Sequence, residues 1–354
     1  MAGKSFFSHI IRFISFLIAL AIIITIAVFA AFMYFNAPAQ PVTDTRILAE
    51  NGGINIMADG SFIFEVRRGE SAQSVGRRLE RAGLIRNRYF WDVMFRFSDE
   101  FVRAGTYRID PSMTSLAIYR LLVSGRQVLY RVTIPEGMTI RRTAQILEEA
   151  GITSAEAFIA AARDPAIIAH FGIPNNSMEG FLFPDTYMFP LNYPAALVVR
   201  AMADKFFTQT QEIFGQVNLS PQELNEIVTL ASIVQGEYRL AEEAPLMAGV
   251  FHNRLRIGMR LQSCATVVYV ITEILGREHP SRIFYIDLEI PSPFNTYFVH
   301  GLPPAPISSP GAVALRAAFA PAQTDYLFFR LIDERTGRHI FTRTLAEHNS
   351  VGLR

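Results

Sequence analysis

One cysteine, Cys264, serves the whole chain of 354 residues, so no intramolecular disulfide and no cysteine-based zinc cluster is available. Lysine is almost as scarce: it stands at Lys4 and Lys205, and arginine carries the rest of the positive charge. Excess charge is missing too. With 33 basic and 32 acidic residues the net charge is +1, and no global field points toward nucleic acid. Stability must therefore come from packing. Half of the residues are apolar, which excludes disorder, and a prior of roughly 100–200 residues per domain favours two cores over one.

Charge is absent altogether from Phe13 to Phe35. That length matches the roughly 20 apolar residues a helix needs to cross the hydrocarbon layer, so the segment reads as a membrane anchor. Lys4 and Arg12 precede it and the next charge is Asp44, which puts the N-terminus in the cytoplasm and everything after Asn36 outside. Ala37-Pro38-Ala39 resembles a signal-peptide cleavage site, but the apolar run exceeds the usual core of about 7–15 residues. "NAPAQPVTDTR" after the anchor has the proline and polar content of a linker.

Folded sequence resumes near Phe62, where "FEVRRGESAQSVGRRLERAGLI" reads as a strand, a turn at Gly69 and a helix capped by Ser71. The same grammar returns at "VTIPEGMTIRRTAQILEEAGIT". Gly69, Ser71, Leu79 and Ala82-Gly83 correspond at one constant offset to Gly137, Thr139, Leu147 and Ala150-Gly151, an internal strand-helix repeat. Between the copies lie another strand and a helix from about Ser112 that stops at Gly125. The stretch from Ser154 to Ala203 is helical with breaks, interrupted by the aromatic-rich "SMEGFLFPDTYMFPLNYP", which suits a packed loop or a carbohydrate-facing wall, with core packing the role of most of its rings. Helices dominate from Pro221 to about Leu255, and the tail from Thr324 alternates as a hairpin turning near Thr336-Gly337. The fold class is α+β.

"SPQELNEIVTLASIVQGEY" opens a helix with Ser220 as cap, Pro221 at its first position and Glu223 completing a capping box. Ile227, Leu230, Val234 and Glu237 recur at spacings of three, four and three, so a lone carboxylate continues the apolar stripe. Burial raises a carboxylate pKa and would keep a proton on Glu237, as a general acid requires. Helix geometry alone equally allows a helix-end Glu237 that reaches water or pairs with Arg239 or Arg254. Farther on, "IPSPFNTYFVHGLPPAPISSPG" surrounds Asn295, Thr296, Tyr297 and His300 with proline, a rigid frame for polar groups.

Taken in order, "ASIVQGE", "FHNRLRIGMRLQS", "TVVYV", "SPFNTY", "GLPPAPISSPG" and "HIFTRTLAEHN" resemble the YceG/MltG family of membrane-anchored endolytic murein transglycosylases. The likeness extends through "RAGTYRI", "IPEGMT" and "EGFLFPDTY". It implies the following organisation: cytoplasmic residues 1–12, a transmembrane helix 13–35, a linker 36–60, a LysM-like subdomain 61–152, and a catalytic domain 153–354 with a small lysozyme-like feature. The repeat fits the LysM-like part. The resemblance also makes Glu237 the catalytic acid and, together with polarity, assigns Gln262, Ser292, Asn295, Tyr297 and Thr266 to the sugar and its acetamide groups. Many members carry Glu, Lys and Asp where this chain has Gln235, Gly236 and Cys264. Position 235 lies about 200° round the helix from the stripe, so helix geometry favours Glu237.

The implied reaction cleaves the β-1,4 bond between N-acetylmuramic acid and N-acetylglucosamine within a peptidoglycan strand, outside the cytoplasmic membrane. It needs no cofactor and no metal: His300, His339, His348 and Asn349 lack zinc-ligand spacing. Two other readings stay open. One is a muramidase that uses water, with Glu242 or Glu243 as base. The other is an inactive wall-binding scaffold that recruits peptidoglycan synthases, in which Arg67, Arg68, Arg77, Arg78 and Arg81 of the first repeat meet stem-peptide carboxylates.

Overall fold

In a computed structural model of the chain, residues 2–42, 54–57 and 59–351 are described, with side chains from Arg12 onward. Two compact units divide it, Met1–Leu129 and Tyr130–Arg354.

The first unit begins with α1 (Ala2–Asn36), whose stretch Arg12–Asn36 is long and apolar enough to cross a membrane and leaves its side chains exposed as far as Tyr34. Part of the expected linker, 43–53 and 58 with Asp44 among them, lies outside the described residues. Its end departs from the expectation. Ile54–Ile56 is a strand, β1, because Ile54 has a core to enter and the segment pairs antiparallel with β2 (Phe62–Val66). β2 pairs antiparallel in turn with β3 (Gly105–Ile109), and two helices, α2 (Ala72–Arg81) and α3 (Arg88–Arg96), run between those strands. α4 (Ser115–Ser124) follows, with Thr114 as cap and Gly125 ending it in the left-handed conformation. Phe62, Phe64, Leu79, Trp91 and Tyr107 fill the core of this unit.

Arg78 does not belong to an exposed arginine face. It is buried, its guanidinium 2.7 Å from the Glu70 carboxylate and 4.6 Å from the centre of the Phe64 ring. Arg67, Arg68, Arg77 and Arg81 are exposed.

The internal repeat is reproduced in the backbone. Ser71 caps α2 and Thr139 caps α5 (Ile140–Glu149) through the same hydroxyl contact. Both helices end on an alanine at φ −79° and ψ −2°, followed by a glycine at φ 66° or 70°. The turn glycines before them, Gly69 and Gly137, sit at φ 73° and 76°. Only glycine visits that region without strain, which is why the two copies share it.

The second copy falls in the second unit. β4 (Tyr130–Thr133) pairs antiparallel with β5 (Thr186–Phe189), and Ile140, Ala144 and Leu147 join the large core there. β5 lies inside the aromatic segment that sequence assigns to a packed loop; Phe181, Leu182 and Phe183 before it are buried. The remaining helices of this unit are α6 (Ala155–Ala161), α7 (Pro165–His170), α8 (Ala195–Phe214), α9 (Pro221–Gln235), α10 (Ala244–Arg256), α11 (Cys264–Tyr269), α12 (Tyr285–Leu288), α13 (Ala312–Phe319) and α14 (Leu345–Ser350). α9 packs on α10 and α13 at the centre. β6 (Phe328–Asp333) and β7 (Arg338–Thr342) form the terminal hairpin, with Gly337 at φ 75° in its turn.

Candidate active site

The capping box at Ser220 and Glu223 starts α9 as its sequence predicts, and Pro221 occupies the first turn. The helix ends earlier than the stripe suggests. Gln235 is its last residue, and Glu237 sits in the turn beyond, with its N–H donating to Val234 O at 3.0 Å. That bond keeps Glu237 in line with Val234. Gly236 permits a close neighbour: a Cβ there would stand 2.6 Å from Cβ of Ala265.

The carboxylate of Glu237 is enclosed although part of the residue's surface stays open. Burial raises its pKa above the ordinary value. Opposing that shift, the Ser263 hydroxyl donates to Oε1 at 2.5 Å, and the N–H groups of Ala265 and Cys264 and the charge of Arg254 also favour the anion. Enclosure wins, so the group holds its proton to higher pH than a free glutamate and remains ionisable. This is the balance a group needs if it is to give a proton and take it back.

Ser263 is fixed by a second loop. Its N–H donates to Thr296 Oγ1 at 3.0 Å, and the N–H of Gln262 donates to Thr296 O at 3.1 Å. Thr266 Oγ1 donates to Ser263 O at 2.7 Å and accepts from Thr296 N–H at 3.2 Å. With that proton committed, the 2.9 Å contact between the two threonine hydroxyls has Thr296 as donor. Gln262 takes φ 51°, a region sparsely populated by residues other than glycine. Arg254 ties the start of this loop down: it is buried and donates to Leu261 O at 2.6 Å and Leu327 O at 2.7 Å.

The expected sugar-contacting residues divide accordingly. Gln262 exposes its side chain beside Ser263. Tyr297 is half-buried, its hydroxyl 3.4 Å from Cys264 Sγ; burial raises its pKa, and the charge of Glu237 adds to the rise. Thr266, Asn295 and Ser292 are buried, and their polar atoms serve the loops. Asn295 Nδ2 donates to Leu288 O at 2.9 Å and Ile290 O at 2.8 Å, while Ser292 Oγ accepts from Phe294 N–H at 3.2 Å. Sequence reasoning missed Ser263 as a partner of the site and named Thr296 only as a polar group in the proline frame, without a tie to Glu237. Both stand inside the quoted motifs, but no spacing joins them to Glu237.

Gln235 points elsewhere, as its helical position predicts. Its Oε1 accepts from Gly311 N–H at 2.9 Å and its Nε2 donates to Glu136 Oε2 at 3.4 Å. Glu243 is buried and engaged with the ring and backbone of His339, at 2.8 Å from Nδ1, whereas Glu242 is exposed. His300 lies against Gly258 O and Arg260, His348 against the Phe328 ring, and Asn349 is exposed. One buried acid went unnoticed in the sequence. Glu179, from "EGFLFP", accepts the first N–H of α5, and burial pushes its pKa up to about 8. A cavity of about 770 Å³ is lined by Gly236 and Ala265 together with Arg141, Arg142, Glu273 and Arg277.

The model of the YceG-like family matches residues 64–352. The chain belongs to the YceG-like family. A Bacillus subtilis (strain 168) protein named endolytic murein transglycosylase is 28% identical over 339 residues, spanning 90% of this chain and 88% of the relative. A Streptococcus pneumoniae serotype 2 (strain D39 / NCTC 7466) protein of the same name is 26% identical over 370 residues, spanning 97% of this chain but 65% of the relative. A crystal structure of a YceG-like protein from Listeria monocytogenes aligns with a TM-score of 0.54 at 29% identity, covering 82% of this chain and 98% of that one.

Proposed function

We propose that this protein is an endolytic lytic transglycosylase of peptidoglycan, a lyase held at the cytoplasmic membrane by α1 with its two folded units outside. The observation that carries the reading is the Glu237 carboxylate, enclosed, raised in pKa and hydrogen-bonded to Ser263. Membership of a family whose curated relatives bear the name endolytic murein transglycosylase supplies the substrate class.

In the proposed reaction, protonated Glu237 gives its proton to the glycosidic oxygen as the bond from C1 of N-acetylmuramic acid breaks and positive charge develops at C1. The resulting carboxylate then takes the proton of the same sugar's C6 hydroxyl, whose oxygen attacks C1 and closes a 1,6-anhydro ring. Glu237 ends as it began. Because the nucleophile belongs to the substrate, the second carboxylate that a hydrolase uses to activate water is dispensable. Ser263 supports both halves: its hydroxyl stabilises the anion between the two proton transfers. Gln262 and Tyr297, on the open side of the loops, are the proposed contacts to the sugar. Thr266, Ser292 and Asn295 act at one remove, by holding the loops that carry them. The strand-helix-helix-strand order of residues 62–109 supports a LysM-like glycan-gripping role for the first unit. Cleavage within strands by an enzyme tethered at the membrane would end the elongation of new glycan there.

Glu237→Gln preserves shape and the acceptor for Ser263 but cannot transfer a proton. The expected result is loss of cleavage by about 10²–10⁴ or more, since one group serves both steps, with folding and glycan binding retained. Wild-type fragments should end in 1,6-anhydromuramic acid, one water lighter by mass spectrometry than hydrolysed ends. Reducing ends would identify a muramidase, and equal inertness of both forms a scaffold.

A further inference from the structure

α3 has two faces of different kind. Trp91, Met94 and Phe95 turn inward; Trp91 is fully buried and donates its ring N–H to Ala72 O at 2.9 Å. Tyr89, Val93 and Phe97 recur every fourth residue and occupy an arc of roughly 80° on the other side. They are 63%, 49% and 84% exposed, and Phe101 just beyond is 67% exposed. Side chains of this size are not left in water in a row without a partner.

The chain itself indicates the partner. Phe90, adjoining the stripe, packs on two rings of α1: its centroid lies 5.7 Å from Phe32 and 6.3 Å from Phe35, at the end of the apolar span. Arg86, one turn before, stacks over Tyr34 and donates to Pro38 O at 2.9 Å. Ser115 Oγ donates to Phe35 O and Leu116 N–H to Asn36 Oδ1, so α4 clasps the same end of α1. The exposed stripe therefore continues the apolar surface of the spanning helix at the level where it leaves the hydrocarbon. Aromatic residues with arginines beside them suit that layer, because the rings enter the acyl boundary while the cations reach back to headgroups.

Resting on the membrane-anchor reading, we infer that Tyr89, Val93, Phe97 and Phe101 seat the first unit in the outer interface of the bilayer that α1 crosses, with α3 lying along the surface. The attraction is apolar in the main. From Arg86 to Arg103 the sequence holds four arginines, Arg86, Arg88, Arg96 and Arg103, and three acids, Asp92, Asp99 and Glu100, an excess of one cation. Seating should accordingly depend little on the fraction of anionic lipid.

The full chain with Cys264→Ser, carrying one bimane label at Val93→Cys, Phe97→Cys or, at the middle of the span, Ile24→Cys, tests this in nanodiscs holding one copy. Discs of phosphatidylethanolamine and phosphatidylglycerol would contain phosphatidylcholine bearing a nitroxide at a shallow or a deep acyl carbon. Labels at Val93 and Phe97 should be quenched roughly two-fold or more by the shallow nitroxide and less by the deep one, the order reversing for Ile24. Quenching at Ile24 alone, with Val93 and Phe97 open to iodide, overturns the inference and leaves the anchor standing. Protection of those labels from iodide without lipid quenching also overturns it, in favour of a protein covering the stripe. Absence of quenching at Ile24 removes the anchor reading and the inference with it.

Discussion

At the scale of single residues, two carboxyl groups and one amide give opposed expectations. Glu179 is buried and titrates near 8, against an ordinary value of 4.5. A carboxyl group with a raised pKa in the folded state binds its proton more tightly there than in the unfolded chain. Its contribution is therefore full below about pH 4.5 and is lost as pH rises toward 8. At about 1.4 kcal/mol per pH unit across that window, wild type should lose roughly 2–4 kcal/mol between pH 5 and pH 8 from this group. Glu179→Gln keeps an acceptor for the N–H of Ile140 and removes the titration. Urea unfolding should find the variant close to wild type at pH 5 and more stable at pH 8; parallel curves would show that Glu179 is not enclosed. Gln235→Glu tests the neighbouring doubt about which position carries the acid. A carboxylate at 235 still accepts from Gly311 but faces Glu136, whose side chain is exposed, so solvent screens the repulsion to about 0.5–1 kcal/mol. Turnover should change by less than several-fold, and adding Glu136→Gln should restore stability. A gain of cleavage from nothing would instead mark the natural chain as inactive.

Elements were legible wherever a local rule fixes them. Ser71, Thr139 and Ser220 announce their helices because a hydroxyl can satisfy an unpaired N–H two or three residues on, an effect worth about 1 kcal/mol. The paired glycines of the repeat were legible for the same reason. Membership of a unit was not: strand Tyr130–Thr133 looks like strand Phe62–Val66, yet its partner, Thr186–Phe189, lies in a segment whose aromatic residues read as loop. In the candidate site Glu237 was legible as the carboxylate that continues the apolar stripe, while the threonines that cross-link the two loops were not legible as partners. Thr296→Val preserves volume but leaves Ser263 N–H without its acceptor and removes the hydroxyl contact to Thr266, which keeps only the N–H of residue 296. One buried unsatisfied group costs about 1–3 kcal/mol. The variant should lose about that much stability by denaturant unfolding and about ten-fold in kcat, as Ser263 loosens from Glu237. Thr296→Ser should recover most of both; an unaffected kcat in the valine form would detach this network from catalysis.

On the scale of the whole molecule, each unit owns a core. The apolar cluster around Trp91 and Tyr107 draws on residues 54–122, and the larger one around Phe181, Phe206 and Phe251 draws on residues 132–318. Glu237, Ser263, Thr296, Arg254 and Tyr297 all lie in the second unit, and each polar contact described for them stays within it. Two truncations separate what each part contributes. A chain beginning at Asn36 keeps the side chain that accepts from Leu116 N–H and should be soluble, folded and as fast as the full enzyme on soluble glycan strands. A chain beginning at Tyr130 retains its own core and every group proposed for proton transfer, so it should unfold cooperatively and still produce anhydro ends with kcat within several-fold. If the first unit grips glycan, this shorter form should show a higher KM on long strands and little change on short ones, because binding remote from the reacting bond is what it has lost. An equal fall in kcat on strands of every length would mean that the first unit helps to build the site itself, and that the enzyme is not divisible at Tyr130.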